Sequence, residues 1–441
     1  MISKICIALN ELIFSFLDLV SKLRYKSTCS IFNKYCITDL YNIERHLVTK
    51  LNQTILEQYS YKNVKCLKLQ NNKNHFDLTR LSKLKKLYIF HCKYIEKLDV
   101  KCLNLEKLAV SHGITNLNYM TNLRELSIGS CDLDDSDIKD LNLEKLCISG
   151  ICNIKNINHM SNLKVLRAEG PCNKLGDFGI KNLNLEQLFA QYNEKITNVN
   201  HMSKLKVLCA AGRCGIGDFG IKDVHLEVLY ASYNKKITNV NHMSKLKILY
   251  AEEDPDYYCS DQTSGIGNFG IKDIKLEELV ANFNTKITNV DHMHNLKILH
   301  AQGNCGIDDE GIEKLVNLEA LDASFNKKIK NVNHLSKLKI LDIHAHPDTD
   351  KICGIDDFGI SEVNLIMLNS NNNHKITNVN HMSKLKILHA SDNLKMLYAE
   401  FNEKIRDPKL RGNTQLLDVG VNGVYSMRDD LNFVSELLSH D

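Results

Sequence analysis

Residues Leu185–Lys204 read LEQLFAQYNEKITNVNHMSK, and residues Leu205–His225 read LKVLCAAGRCGIGDFGIKDVH. Both open on L-x-x-L-x-A, and the two types alternate along the chain with a super-period of about 41 residues. Each opening motif predicts one short strand, with the leucines and the small third residue directed inward. The remainder of each copy must carry the chain back to the start of the next strand. The opening leucines recur from Leu84, Leu105, Leu123 and Leu143 through Leu276, Leu296 and Leu318 to Leu365 and Leu385. One copy cannot bury its apolar face alone, so copies must stack on one another, and such a chain grows by stacking rather than by adding cores.

This pattern is identified as the leucine-rich repeat, and it covers more than three quarters of the chain. The resemblance implies an α/β solenoid, a horseshoe with a parallel concave sheet and irregular or short helical return segments on the convex side. It also places Asn193 inward, hydrogen-bonding backbone groups exposed where the chain leaves the strand. The second repeat type resembles the cysteine-containing class common in F-box proteins, with Cys214, Cys305 and Cys353 at equivalent places. The expected division is a helical module or cap at 1–60, a solenoid of about sixteen coils at 61–402, and a C-terminal cap at 403–441. Leu385 and Leu394 open strand motifs too close together for a full coil, which predicts irregularity near 385–400.

Composition excludes several classes. The 441 residues are 43% hydrophobic and 25% charged, with a net charge of +3 and interspersed signs. Nothing in that balance demands nucleic acid or an anionic membrane. No apolar run reaches the ~18 residues of a membrane span. The 15 cysteines recur within the repeat, which reads as buried thiols in a reducing, cytoplasmic compartment rather than a disulfide framework. An apolar stretch after Lys4 resembles a signal peptide, but Asn10, Glu11 and Asp18 interrupt it, and an amphipathic helix is the expectation.

Three motifs look chemical and are explained by the repeat. Gly215–Gly220 and Gly265–Gly270 match G-x-G-x-x-G, but the same segment recurs at Gly306–Gly311 without its middle glycine, which reads as repeat punctuation rather than the strand-to-helix turn a dinucleotide site requires. Asp177-Phe178-Gly179, Asp218-Phe219-Gly220 and Asp357-Phe358-Gly359 copy the kinase magnesium tripeptide without its partner segments. His159, His201, His242, His292, His334 and His381 recur in alternate coils, hence about 10 Å apart. Zinc–nitrogen bonds are about 2.1 Å, so these rings cannot converge on one ion. No catalytic residue, cofactor site or metal site is expected.

The residues expected to bind a partner project from the strands. The column four residues after each opening leucine contains Phe189, Tyr230 and Tyr250, an aromatic stretch, followed by more polar residues including His300 and Asp322. Aromatic anchors with a polar surround concentrate binding energy. Two insertions at strand exits, Glu252–Ser264 and His344–Ile352, add Tyr257, Tyr258 and His346 as candidate contacts.

Residues 1–60 precede the repeats and carry apolar residues at helical spacing. Within them, Ile13-Phe14-Ser15-Phe16-Leu17-Asp18, then Leu23-Arg24, then Thr28–Phe32 resembles an F-box, the helical module that docks on Skp1. That resemblance implies Skp1-facing roles for Ile13, Phe16, Leu17, Leu23 and Phe32. An F-box followed by leucine-rich repeats looks like a substrate-recognition adaptor of a cullin-type ubiquitin ligase. The near-identical Asn/Lys/Ile-rich repeats look like such proteins of large DNA viruses, which would place the chain in the host cytoplasm. The alternative is an interaction scaffold with no ubiquitin link, its first helices serving only as a cap.

Overall fold

The computed structural model describes residues 39–40 and, apart from 72–77, 79–80, 93–102, 112–113, 115, 131, 254–262 and 347–351, residues 64–390. The F-box-like segment, the C-terminal cap, the Leu394 motif, and Tyr257 and Tyr258 lie outside the described residues. The chain forms two compact units, Met1–Ile196 and Thr197–Asp441.

In the first unit the strands are β1 (Asp39–Leu40), β2 (Cys66–Gln70), β3 (Lys86–Phe90), β4 (Lys107–Val110), β5 (Glu125–Ile128), β6 (Lys145–Ser149), β7 (Val165–Glu169) and β8 (Gln187–Phe189). In the second they are β9 (Val207–Cys209), β10 (Val228–Tyr230), β11 (Ile248–Tyr250), β12 (Glu278–Val280), β13 (Ile298–His300), β14 (Ala320–Asp322), β15 (Ile340–Asp342), β16 (Met367–Asn369) and β17 (Ile387–His389). Within each unit every strand pairs in parallel with the one before it. The register sets leucine on leucine, as Leu208, Leu229, Leu249 and Leu279 in the second unit. Such a chain is a leucine-rich-repeat solenoid, as the periodicity requires.

The core is a set of stacked columns. Leu226, Leu229, Ala231 and Ile237 of one coil are fully buried, and so are the corresponding Leu276, Leu279, Ala281 and Ile287. Just before the strand runs a column in which a basic residue and glutamate alternate from Lys85 to Lys339, because the two repeat types alternate, and buried Ile366 then takes the glutamate place. The column brings Lys206 to 3.4 Å from Glu227 and Lys247 to 3.4 Å from Glu277. These pairs are exposed, so they fix register more than they add stability.

Where the chain leaves the strand it must turn sharply, and an asparagine holds the turn. Asn234 Nδ2 donates to the carbonyls of Ala210 (2.6 Å) and Ile216 (3.0 Å), while its Oδ1 accepts from the Lys236 amide (2.9 Å). Asn193, Asn284 and Asn326 repeat this arrangement. All four are buried. The residue before each is an aromatic in left-handed backbone, with Tyr192 at φ 58°, Tyr233 at 63°, Phe283 at 58° and Phe325 at 61°. Bulky side chains disfavour that conformation, so the asparagine bonds sustain it.

The return segments contain one-turn helices, α1 (Asp177–Ile180), α2 (Asp218–Ile221) and α3 (Asn268–Ile271), and equivalent 3-10 turns at Glu310–Ile312 and Phe358–Ile360. The G-x-G-x-x-G glycines belong to them. A Cβ on Gly220 would lie 2.0 Å from the Thr197 carbonyl oxygen, so the glycine permits close coil packing rather than phosphate binding. Asp218 contacts the backbone amides of Thr238 and Asn239 in the following coil at 2.7 and 3.1 Å, a structural duty unrelated to magnesium. Burial pushes the thiols of Cys214, Cys305 and Cys353 up to about 12. These cysteines act as small core residues.

Candidate protein-binding face

The strand-borne column lies on the sheet face, but its two ends differ. In the first unit Arg167 stands over Phe189, its guanidinium carbon 3.9 Å from the ring centroid. The same guanidinium lies 3.1 Å from the Glu169 carboxylate. In the second unit Tyr230 and Tyr250 stack with centroids 4.5 Å apart and planes 29° from parallel. Both tyrosines are half-buried. The Tyr250 hydroxyl donates to Glu278 Oε1 at 3.3 Å. Burial first, and then the Glu278 charge, drive its pKa far up, so it remains a donor.

His300 and Asp322, expected to project as contacts, are instead buried at 4% and 0% exposure, as are Val280 and Asp342. The physical reason is twofold. Ile298, Ala320, Ile340 and Met367 pack together on the same face, with Ile387 against them. The polar side chains satisfy one another across the strands. His300 Nδ1 faces Asp322 Oδ2 at 3.5 Å, and Gln302 Nε2 donates to the same oxygen. Ser324 Oγ contacts Asp322 Oδ1 (2.7 Å) and Asp342 Oδ1 (2.8 Å). His344 Nδ1 meets Asp342 Oδ1 at 2.6 Å, and Asn369 Nδ2 donates to Asp342 Oδ2 at 2.9 Å. A periodicity argument sees which way a side chain leaves its strand, but not what its neighbours then cover.

Ser324, His344 and Asp342 are the residue types of a nucleophilic triad, and their geometry is wrong for one. The same ring atom, Nδ1, faces both Ser324 Oγ (2.8 Å) and Asp342 Oδ1. In a triad the carboxylate orients one ring nitrogen while the other takes the serine proton. Five of the six repeat histidines are also accounted for: Nε2 of His159, His242, His292, His334 and His381 donates to the carbonyls of Ile138, Ile221, Ile271, Ile312 and Ile360 at 2.9–3.0 Å. Among the described residues no group of three or more His, Cys, Asp or Glu is placed to hold a metal ion. Nor is any helix among them long and apolar enough to cross a membrane.

Buried His300 and half-buried His344 are expected to give the face a pH dependence. Burial pulls the His300 pKa down, but the Asp322 hydrogen bond and charge, with Glu278 and Glu252, outweigh it and raise the value above 6.5. His344 is raised likewise against the pull of burial, by Asp342 and Asp322. A raised histidine contributes stability that is fully present below its unfolded pKa and is lost as pH rises through its folded pKa. Melting curves between pH 5 and 9 are therefore expected to show stability falling above about pH 6.5. The double variant His300→Gln/His344→Gln flattens that slope; an unchanged slope would place the titrating groups elsewhere.

Sequence reasoning missed one surface. Phe178, Phe219, Phe269 and Phe358 on the return segments are 69%, 73%, 71% and 75% exposed. The ammonium groups of Lys181, Lys222 and Lys272 lie 4.8–5.0 Å from the first three rings. The recurrence of Asp-Phe-Gly or Asn-Phe-Gly in the return segments is the available signal; comparison with the kinase tripeptide gave its phenylalanine no role. Of the insertion-loop candidates, His346 is described, and it is exposed.

No protein-family model matches the sequence, and no curated protein sequence does. Solved structures do. The functional domain of InlJ from Listeria monocytogenes is 18% identical, with a TM-score of 0.42 over 76% of this chain and 70% of that one. A leucine-rich-repeat protein of Leptospira interrogans is 17% identical, with a TM-score of 0.39 over 80% and 84%. A chain of the yeast Rad7 and Elc1 complex is 16% identical, with a TM-score of 0.32 over 88% and 96%.

Proposed function

We propose that this chain is a protein-binding solenoid that serves as an F-box/leucine-rich-repeat substrate-recognition adaptor. Residues of the N-terminal segment, among them Ile13, Phe16, Leu17, Leu23 and Phe32, would hold Skp1, and the sheet face would hold the protein to be ubiquitinated. In this reading the chain performs no chemistry and supplies proximity between target and ligase in the cytoplasm. The observation that carries the binding role is the half-buried Tyr230–Tyr250 stack, a rigid aromatic anchor beside polar side chains. The ligase connection is supported by the F-box-like sequence alone.

The test is binding of purified Skp1 to the full chain and to Phe16→Glu/Leu17→Glu. Saturable binding lost in the double variant establishes the adaptor. No binding by either leaves an interaction scaffold whose first residues act as a cap. Tyr230→Ala/Tyr250→Ala is expected to weaken target binding by about 100-fold, as hot-spot truncations do, with Skp1 binding unchanged. Target binding that survives both substitutions would move the contact off the sheet face.

A further inference from the structure

We infer that the phenylalanine-bearing turns of the second unit form a docking ladder for an amphipathic α-helix of a partner protein. The ladder lies on the return segments and is independent of the sheet-face role. Its rungs stand two strands apart: Phe219 lies between β9 and β10, Phe269 between β11 and β12, Glu310 between β13 and β14, and Phe358 between β15 and β16. One bond fixes all four turns alike. The amides of Val199, Val240, Val290 and Val332 each donate, at 2.9 Å, to the carbonyl of the glycine that follows the rung residue. The coil with Glu310 keeps that bond, so the turn does not require phenylalanine. Three exposed rings at equivalent places point instead to a cover from outside the coils that bear them.

Spacing and charge identify the cover. Strands about 4.8 Å apart set alternate coils about 10 Å apart, close to the ~10.5 Å of seven helical residues. A helix with an apolar residue at every seventh position presents one to each ring, and its backbone needs no outside donor. A polyproline segment repeats at about 9.3 Å but leaves its carbonyls open, and phenylalanine has no donor for them. The charges set the register. The ammonium groups of Lys222 and Lys272 stand 5.0 Å from the Phe219 and Phe269 ring centroids. Among the described residues neither lysine sits in an ion pair. Asp223 and Asp273 follow these lysines in sequence, but the ammonium is the charge held at the ring. At the third rung both places turn acidic, with exposed Glu310 for the ring and exposed Glu313 for the lysine. The matching helix is therefore apolar with acidic flanks at two rungs, basic at the next and apolar at the last. A lipid surface does not match a rung of reversed sign.

The full-length protein is titrated calorimetrically with a blocked, helix-favouring peptide of about 30 residues, long enough for four rungs. It carries leucine at the first, second and fourth rungs, lysine at the third and glutamate beside the first two leucines, and it is made in both sequence directions. A control of the same composition spaces those residues five apart, which scatters them around the helix. Saturable binding of one direction is expected, with the control at least about tenfold weaker. Phe219→Ser/Phe269→Ser, with melting temperature monitored as a folding control, weakens binding about 100-fold, while Tyr230→Ala/Tyr250→Ala leaves it unchanged. Glu310→Lys weakens the matched peptide and strengthens one bearing glutamate at the third rung, each by about tenfold. Failure of both directions to bind, equal binding of the control, or indifference to Phe219→Ser/Phe269→Ser overturns the helix assignment. Phenylalanine-dependent binding of phosphatidylserine vesicles or of a Pro-x-x repeat peptide, with the helices inert, overturns it in favour of lipid or of a polyproline segment.

Discussion

Asn234→Asp is expected to cost the second unit about 3–5 kcal/mol, the sum of two or three buried polar groups losing their partners. The substitution is isosteric, so it opens no cavity. It replaces the amide donor that serves the Ala210 and Ile216 carbonyls with an oxygen, setting acceptor against acceptor in a site 1% exposed. The left-handed turn at Tyr233, φ 63°, then loses what holds it. Because coils interact with nearest neighbours, the damage is local before it is global. Hydrogen exchange should accelerate first in β9, β10 and β11, and the urea midpoint should fall. Phe269→Ser, at a side chain 71% exposed, is the control and is expected to change stability by less than about 0.5 kcal/mol. An Asn234→Asp effect no larger than the control's would show that the asparagine ladder is dispensable.

Gly270→Ala is expected to be as damaging, through sterics alone. The added methyl would sit 1.9 Å from the Thr238 carbonyl oxygen, which is backbone and cannot rotate away. Relief requires prising α3 from the preceding coil, and the bond from the Val240 amide to the Gly270 carbonyl, 2.9 Å, lies in the same contact. Overpacking of this kind costs about 3 kcal/mol or more. Gly170→Ala provides the contrast: its φ is +96°, but nothing stands within 4 Å of the new methyl. Only backbone strain of about 1–2 kcal/mol is expected there. Thermal melts of the two variants separate close approach from conformational freedom, and equal effects would refute the packing account.

Much of the fold was legible because a solenoid is encoded one coil at a time. The L-x-x-L-x-A motif fixes which side chains enter the core, and the spacing of its copies fixes strand order and parallel register. The inward asparagine and the buried Cys214, Cys305 and Cys353 followed from their fixed places in the repeat. The return segment through Phe219 and Ile221, for which the repeat implied an irregular path or a short helical turn, is a one-turn helix. Each of these depends on residues within about one coil of one another, the range over which a repeat carries information.

The candidate site was legible only in part. Tyr230 and Tyr250 were found because outward columns can be read by counting, and their stacking follows from equal strand positions on neighbouring coils. The burial of His300 and Asp322 could not be counted. It arises from cross-strand bonding among Gln302, Ser324, Asp342 and His344, and from the apolar neighbours Ile298 and Ile340, all contributed by different coils. The left-handed aromatics at 192, 233, 283 and 325 were equally hidden, since local preference argues against φ > 0 at such residues. Sequence by itself determined the solenoid, its register and its inward columns, because those follow from periodic apolar burial. Tertiary structure alone decided which outward side chains are covered, which glycines bear close contact and which phenylalanines are left exposed, because these depend on the distances between coils rather than on the order of residues within one.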